Sequence, residues 1–202
     1  MTLKNKMISG AIWNGLEIFG GRFVQIFITI ILARILSPKD FGIIALLVIF
    51  LEVSKVISDC GFSKALISKK DITPLDYSSI FYFNIIISLI IYIFLFLISP
   101  YISDFYQFEK LTTYSRFLFI IILINAFGIV PNALIVKKIN FKVLAKRTFI
   151  ANIISGLVAI YLAYSGYGVW ALVYQIIISS VIRVISMGFL RGSEIGILYY
   201  II

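Results

Sequence analysis

The chain has 202 residues, of which 61% are hydrophobic and only 13% are charged, and its formal net charge at pH 7 is +9. Soluble domains are about 45–50% apolar and about 25% charged, so this composition excludes a water-soluble domain and predicts an integral membrane protein. The single cysteine excludes an intramolecular disulfide, and the absence of histidine removes the commonest general base and metal ligand.

Six apolar segments are long enough to cross a bilayer as helices, since a hydrocarbon core of about 30 Å needs about 20 apolar residues. They are residues 11–36, 41–57, 77–99, 117–136, 144–164 and 170–190. The fold class predicted from them is all-α and polytopic, with one domain at 1–190 that forms a bundle of six transmembrane helices. Residues 191–202 are interpreted as a C-terminal remnant of a truncated continuation.

Proline and capping residues explain two of the predicted breaks between segments. Between the first two segments, Pro38 cannot continue the preceding helix, and Ser37 or Asp40 can cap the next one. A tight hairpin of two apolar helices is therefore predicted there. Pro100 is expected to end the third segment for the same reason.

Basic residues alternate between the connections, which sets the predicted orientation. With the N-terminus in the cytoplasm, the inner set is Lys4, Lys6, Lys64, Lys69, Lys70, Lys137, Lys138, Lys142, Lys146, Arg147 and Arg191. The outer connections hold Lys39 and Lys110, with two arginines at helix ends. This pattern follows the positive-inside rule and predicts that both termini are cytoplasmic. Because the cations lie between apolar runs, the expected surroundings are membrane lipids, and no nucleic-acid partner is predicted.

Charged residues within the segments are the candidates for function, since a charge there costs roughly 2.5–3.5 kcal/mol and faces protein or water. Arg22 and Arg183 are candidate substrate-binding charges of a cavity, because a guanidinium can bind a phosphate through two hydrogen bonds. Arg183 has no obvious partner in its own helix. Glu17 and Glu52 are the carboxylates available for coupling to an ion gradient. For Glu17, extension to water at the inner interface is an equally open interpretation.

Other polar residues have a structural and a functional interpretation. Glu52, Lys55 and Asp59 are spaced as a ladder of opposite charges or form a solvated helix end. The basic stretch 137–147 is a topology signal or a contact for anionic headgroups or a pyrophosphate carrier. The amides Asn84, Asn125, Asn152 and Gln175 lie within spans, and hydrogen bonding between helices is their simplest interpretation.

Enzyme motifs are missing from the sequence. It has no phosphate-binding loop, no Gly-x-Ser-x-Gly motif and no metal-ligand spacing. The prediction is therefore a protein that is not an enzyme, with no catalytic residue, no cofactor and no metal.

Five short stretches, in order along the chain, carry a resemblance to a known family. They are residues 9–13, 32–42, 59–67, 139–142 and 166–173, and the second has the sequence L-A-R-I-L-S-P-K-D-F-G. Together they resemble the N-terminal half of the Wzx-type polysaccharide-unit flippases of the multidrug/oligosaccharidyl-lipid/polysaccharide exporter superfamily.

The resemblance implies a transporter with two bundles of about six helices and a cationic cavity between them. The implied function is movement of an undecaprenyl-diphosphate-linked oligosaccharide across the bacterial inner membrane, for O-antigen, capsule or exopolysaccharide. The chain matches only the first bundle, so a second copy or a separately encoded second bundle is the expected partner. A truncated reading frame, a fragment and half of a two-chain transporter all stay open. Two alternatives are a non-transporting scaffold in a polysaccharide assembly complex and a drug or lipid-precursor exporter of the same superfamily.

Overall fold

The computed structural model describes residues 15, 19–59, 61–68, 74–137 and 141–189. These residues contain helices and turns and no strand, which confirms the predicted all-α class. The helices are α1 (Gly21–Ala33), α2 (Pro38–Asp59), α3 (Phe62–Ser68), α4 (Pro74–Phe105), α5 (Leu111–Lys137), α6 (Phe141–Tyr164) and α7 (Val169–Phe189). Helices α2, α4, α5, α6 and α7 are long and apolar enough to cross a membrane. The chain is a polytopic membrane protein, as predicted.

Five of the six predicted segments coincide with these five long helices. The first segment, 11–36, contains α1, whose 13 described residues are too few to span alone. Its beginning, including Glu17, lies outside the described residues, as does the proposed remnant at 191–202. The six-span count and the 1–190 domain boundary therefore stay predictions.

The turn between α1 and α2 is closed by the predicted capping residues. The Asp40 carboxylate accepts hydrogen bonds from the backbone N–H of Ser37 at 2.9 Å and from its hydroxyl at 2.8 Å. The Asp40 N–H in turn donates to the Ser37 hydroxyl at 3.3 Å, and Pro38 occupies the first helical position. Beyond the turn the two helices have different neighbours. Helix α1 packs along α6, whereas α2 packs against α4, α5 and α7.

Helix α3 was not predicted, and its start depends on local chemistry. Gly61 has a φ of 81°, a conformation that glycine adopts without strain. The Asp59 carboxylate accepts a hydrogen bond from the Ser63 N–H at 3.2 Å and another from its hydroxyl. Asp59 thus caps α3, and of the possible ladder of opposite charges the structure shows the step between Glu52 and Lys55. The buried side chain of Leu66 packs α3 against α5.

The prediction that Pro100 ends the third segment is wrong, because α4 continues to Phe105. A proline leaves the carbonyl four residues earlier, here that of Phe96, without its helical donor. The Ser99 hydroxyl donates to this carbonyl at 2.9 Å and replaces the missing bond. Arg116 of α5 donates to the same hydroxyl at 3.0 Å, and its guanidinium lies 4.2 Å from the centre of the Phe96 ring. These contacts hold the helix together through the proline.

Helix α1 packs closely on α6 because Gly156 leaves room for Ile28. A Cβ added at Gly156 would lie 2.2 Å from Ile28 Cδ1 and 2.7 Å from its Cγ1. Both residues are buried. A small residue at a helix contact lets two backbones approach closely within a membrane.

Substitution Gly156→Ala is expected to destabilise the bundle by about 1–3 kcal/mol, since the whole Ile28 side chain must move. Thermal unfolding of the detergent-solubilised protein measures this change. Gly42→Ala is the matched control, because nothing lies within 4 Å of its added Cβ. In an Ile28→Ala background, Gly156→Ala should cost less than it does in the wild type, and an unchanged melting temperature in Gly156→Ala would contradict the close contact.

The larger apolar cluster among the described residues lies toward one end of the bundle. Its fully buried members include Leu32, Leu47, Leu111, Phe119 and Val173. The turns at this end are joined by aromatic contacts that involve Phe108, Tyr114, Phe117, Trp170 and Tyr174. Polar side chains instead gather at the other end, where α1 and α6 begin and α7 finishes.

Candidate anion-binding cleft

A cleft of about 480 Å³ lies among α1, α6 and α7, at the end of the bundle opposite the aromatic cluster. Its lining includes three arginines, two glutamines, an asparagine and three hydroxyl side chains. None of the described residues that line it is acidic. The cleft is therefore cationic and rich in hydrogen-bond donors, which suits an anionic ligand.

Helix α1 contributes Gly21, Arg22 and Gln25 to the cleft. Its position is fixed by Asn152 of α6, whose Nδ2 donates to the carbonyl of Gly21 at 3.0 Å. The Asn152 side chain is buried, so this bond forms within the protein. It confirms the predicted interhelical role of Asn152 and holds the backbone next to Arg22.

Helix α7 contributes a ladder of Gln175, Ser179 and Arg183 at a spacing of four residues, which places all three on one side of the helix. Arg183 Nε donates to the Ser179 carbonyl at 3.2 Å, and Nη2 donates to the Ser179 hydroxyl at 2.8 Å. The expectation that Arg183 lacks a partner in its own helix is therefore wrong. Ser179 supplies two neutral acceptors that orient the guanidinium without neutralising its charge.

Gln175 has a buried amide that faces the cleft. Its side chain is 5% exposed, and among the described residues no acceptor lies within hydrogen-bond distance of Nε2. The predicted interhelical hydrogen bond is thus not made by this nitrogen. A buried donor without an acceptor costs about 1–3 kcal/mol, so the amide is poised to donate to a bound molecule.

Helix α6 contributes Arg147, Thr148, Asn152 and Ser155. Arg147 Nη2 donates to the side-chain oxygen of Asn132 on α5 at 3.2 Å, which ties the cleft to the neighbouring helix. Sequence reasoning placed Arg147 in a basic connection, but the structure places it on the helix, in the wall of the cleft.

Of the four site residues predicted from the sequence, the structure places two in the cleft. Arg22 and Arg183, which are 161 positions apart in the sequence, line the same cleft. Glu52 lies away from it, with an exposed carboxylate 3.5 Å from the Lys55 ammonium. Glu17 is outside the described residues. Substrate binding by the two arginines and ion coupling by the two glutamates stay predictions.

Sequence reasoning missed Gln25, Arg147, Thr148, Ser155 and Ser179 as members of the site. For the walls formed by α6 and α7, the sequence does contain a signal that could have identified them. Polar residues lie at positions 148, 152 and 155, three or four apart, and at positions 175, 179 and 183, four apart. Such a stripe on an otherwise apolar span indicates a face directed at protein or water.

Comparison with known proteins identifies the family. The sequence profile of a family described as "Polysaccharide biosynthesis protein" matches residues 31–195. The chain belongs to the polysaccharide biosynthesis protein family. This result agrees with the resemblance to Wzx-type flippases. The family is of a transporter type and not an enzyme family.

Several curated proteins of polysaccharide pathways are similar to this family member. The succinoglycan biosynthesis transport protein ExoT of Rhizobium meliloti is 28% identical over 81% of the chain and 33% of its own length. The teichuronic acid biosynthesis protein TuaB of Bacillus subtilis is 26% identical over 98% of the chain and 39% of its own length. The lipopolysaccharide biosynthesis protein WzxC of Escherichia coli is 26% identical over 70% of the chain and 29% of its own length. The chain thus spans about a third of these relatives, and no solved structure matches it significantly.

Proposed function

We propose that the chain forms one helical bundle of a transporter that moves a lipid-linked oligosaccharide across the bacterial inner membrane, from the cytoplasmic to the outer leaflet. The carrier lipid is undecaprenyl diphosphate, and the exported unit serves O-antigen, capsule or exopolysaccharide synthesis. The observation that carries this proposal is the cleft in which Arg22, Arg147 and Arg183 converge within an apolar bundle. Membership of the polysaccharide biosynthesis protein family supports it.

The chemistry of the cleft matches the polar part of such a substrate. A diphosphate presents several anionic oxygens, and guanidinium groups bind them through paired, charge-assisted hydrogen bonds. Sugar hydroxyls are met by the neutral amides and hydroxyls of the same cleft. The lipid tail stays in the bilayer, where the outer surfaces of the helices are apolar. Transport of this kind needs binding and release and breaks no covalent bond.

A second bundle completes the passage in this proposal. The charged cleft forms one wall, and a polar headgroup must be screened from lipid on every side. The partner is a second copy of the chain or a separately encoded bundle. Both arrangements place the cleft of α1, α6 and α7 against the opposite bundle.

The orientation proposed for this transporter has both termini in the cytoplasm, so the arginine end of the cleft opens toward the leaflet where the substrate is made. We expect cysteines placed at Lys39 and Lys110 to react with a membrane-impermeant reagent added from outside, in a background that lacks Cys60. Cysteines at Lys69 and Lys138 should react only after the membrane is permeabilised. Labelling of either of these two from outside would contradict the topology.

The function is tested by the leaflet distribution of the substrate in cells that lack the gene. Loss of the protein should leave the lipid-linked oligosaccharide in the cytoplasmic leaflet, inaccessible to a glycosidase added to spheroplasts. Restoring the gene should return the substrate to the outer leaflet. An unchanged outer-leaflet fraction in the deletion strain would exclude the proposed transport.

A further inference from the structure

The cleft changes in chemical character along the bundle axis. On α7, Arg183 lies eight residues beyond Gln175, which is roughly 12 Å at a rise of 1.5 Å per residue. On α6, Arg147 and Ser155 are also eight residues apart, but here the arginine comes first in the chain. In both walls the arginine lies toward the end where α6 begins, and the neutral residue lies toward the centre of the bundle.

The neutral end of the cleft has a donor without an acceptor. Gln175 is more than nine-tenths buried, it lines the cleft, and no described residue accepts a hydrogen bond from its Nε2. Arg183 cannot satisfy this donor, because a guanidinium has no hydrogen-bond acceptor, and its own Nε and Nη2 donate to Ser179. The two residues therefore face different parts of any ligand that fills the cleft.

We infer that the cleft has two subsites, an anion subsite at Arg22, Arg147 and Arg183, and a sugar subsite in which Gln175 donates a hydrogen bond to an oxygen of the first sugar. This inference rests on the proposed function. The sugar attached to the diphosphate reaches deeper into the bundle than the diphosphate itself. Gln175 therefore contributes to the recognition of the glycosylated lipid and contributes nothing to the binding of the bare lipid diphosphate.

The neutral character of Gln175 suits this role. A sugar hydroxyl or the carbonyl of an N-acetyl group is an uncharged acceptor, and a buried amide donates to it without the cost of burying another ion. A site built to form a hydrogen bond with a substrate group discriminates against a ligand that lacks the group, because its own donor is then left unpaired.

The test compares two probes on the full chain in lipid nanodiscs: farnesyl diphosphate, and farnesyl diphosphate that carries one N-acetylglucosamine. Gln175→Leu should weaken binding of the glycosylated probe by about tenfold, the equivalent of one lost hydrogen bond. Its affinity for farnesyl diphosphate should stay within about twofold of the wild type. Asn125→Leu, which removes an amide on α5 outside the cleft, is the control and should change neither affinity.

The outcomes of this test distinguish failure of the sugar subsite from failure of the proposed function. If Gln175→Leu weakens both probes equally, or neither, the sugar subsite is excluded while binding of farnesyl diphosphate still supports the anion subsite. If the wild-type chain binds neither probe, both the proposed function and the sugar subsite fail. A fluorescence-detected melting curve of each variant verifies that it is folded, and Gln175→Asn provides a second variant that retains a donor.

Discussion

Replacing Arg183 with alanine in the complete transporter is expected to lower export of the lipid-linked oligosaccharide by at least about a hundredfold, since two charge-assisted hydrogen bonds are each worth about 1.5–3 kcal/mol. The loss follows from the position of Arg183 in the cleft, where Ser179 orients its guanidinium without neutralising it. Membrane insertion should be unaffected, because removing a charge from a spanning helix lowers the cost of insertion. The measurement is the rate at which the substrate reaches the outer leaflet.

Two further variants test whether the loss of export is specific to the Arg183 guanidinium. Arg183→Lys keeps the charge and loses the planar fork, so it should retain an intermediate rate. Arg34→Ala is the matched control, because Arg34 is an exposed arginine at the C-terminal end of α1 and does not line the cleft. Normal export by Arg183→Ala, with better production of Arg183→Leu, would show that the arginine is only tolerated.

A polypeptide of these 202 residues, reconstituted alone in liposomes as a monomer, is expected to bind the substrate headgroup and not to transport it. The physical reason is that its cleft provides one wall, so the diphosphate and sugars would be exposed to lipid during passage. Each intramembrane charge left facing lipid costs roughly 2.5–3.5 kcal/mol. This penalty favours pairing with another bundle.

Leaflet exchange of a fluorescent lipid-linked sugar, measured with a membrane-impermeant quencher, tests this expectation. Transport should appear only when a second bundle is present, and crosslinking should show whether that bundle is another copy of the chain. Transport by a verified monomer would contradict the requirement for two bundles. The substrate-binding assay on the same preparation distinguishes an inactive bundle from an unfolded one.

The long helices could be predicted from the sequence because a spanning backbone must satisfy its own hydrogen bonds, which leaves helices as the only solution for apolar segments of this length. The cap at Ser37 and Asp40 was also predictable, since both partners are three residues apart. The continuation of α4 through Pro100 was not. It depends on the Ser99 hydroxyl and on Arg116, a contact between helices that the local sequence does not specify.

The candidate site was predicted in part. Arg22 and Arg183 were found because charges are rare in apolar spans, a rule that needs no knowledge of packing. Arg147 was missed because a cluster of cations at a helix end has the same pattern as a topology signal. Gln175 and Ser179 were not assigned to a site, because neutral polar residues occur in spans as ordinary packing contacts. Their convergence is visible only once α1, α6 and α7 are placed together.

The most direct test of anion binding by the cleft is the affinity of the chain for farnesyl diphosphate in nanodiscs, compared between the wild type and the double variant Arg22→Gln/Arg183→Gln. The wild type is expected to bind farnesyl diphosphate, and added salt should weaken this binding. Farnesol, which lacks the phosphates, should not bind at the site. The double variant should lose at least about tenfold in affinity and most of the salt dependence. Equal binding by both proteins, or equal binding of farnesol and farnesyl diphosphate, would contradict an anion-binding role for the cleft.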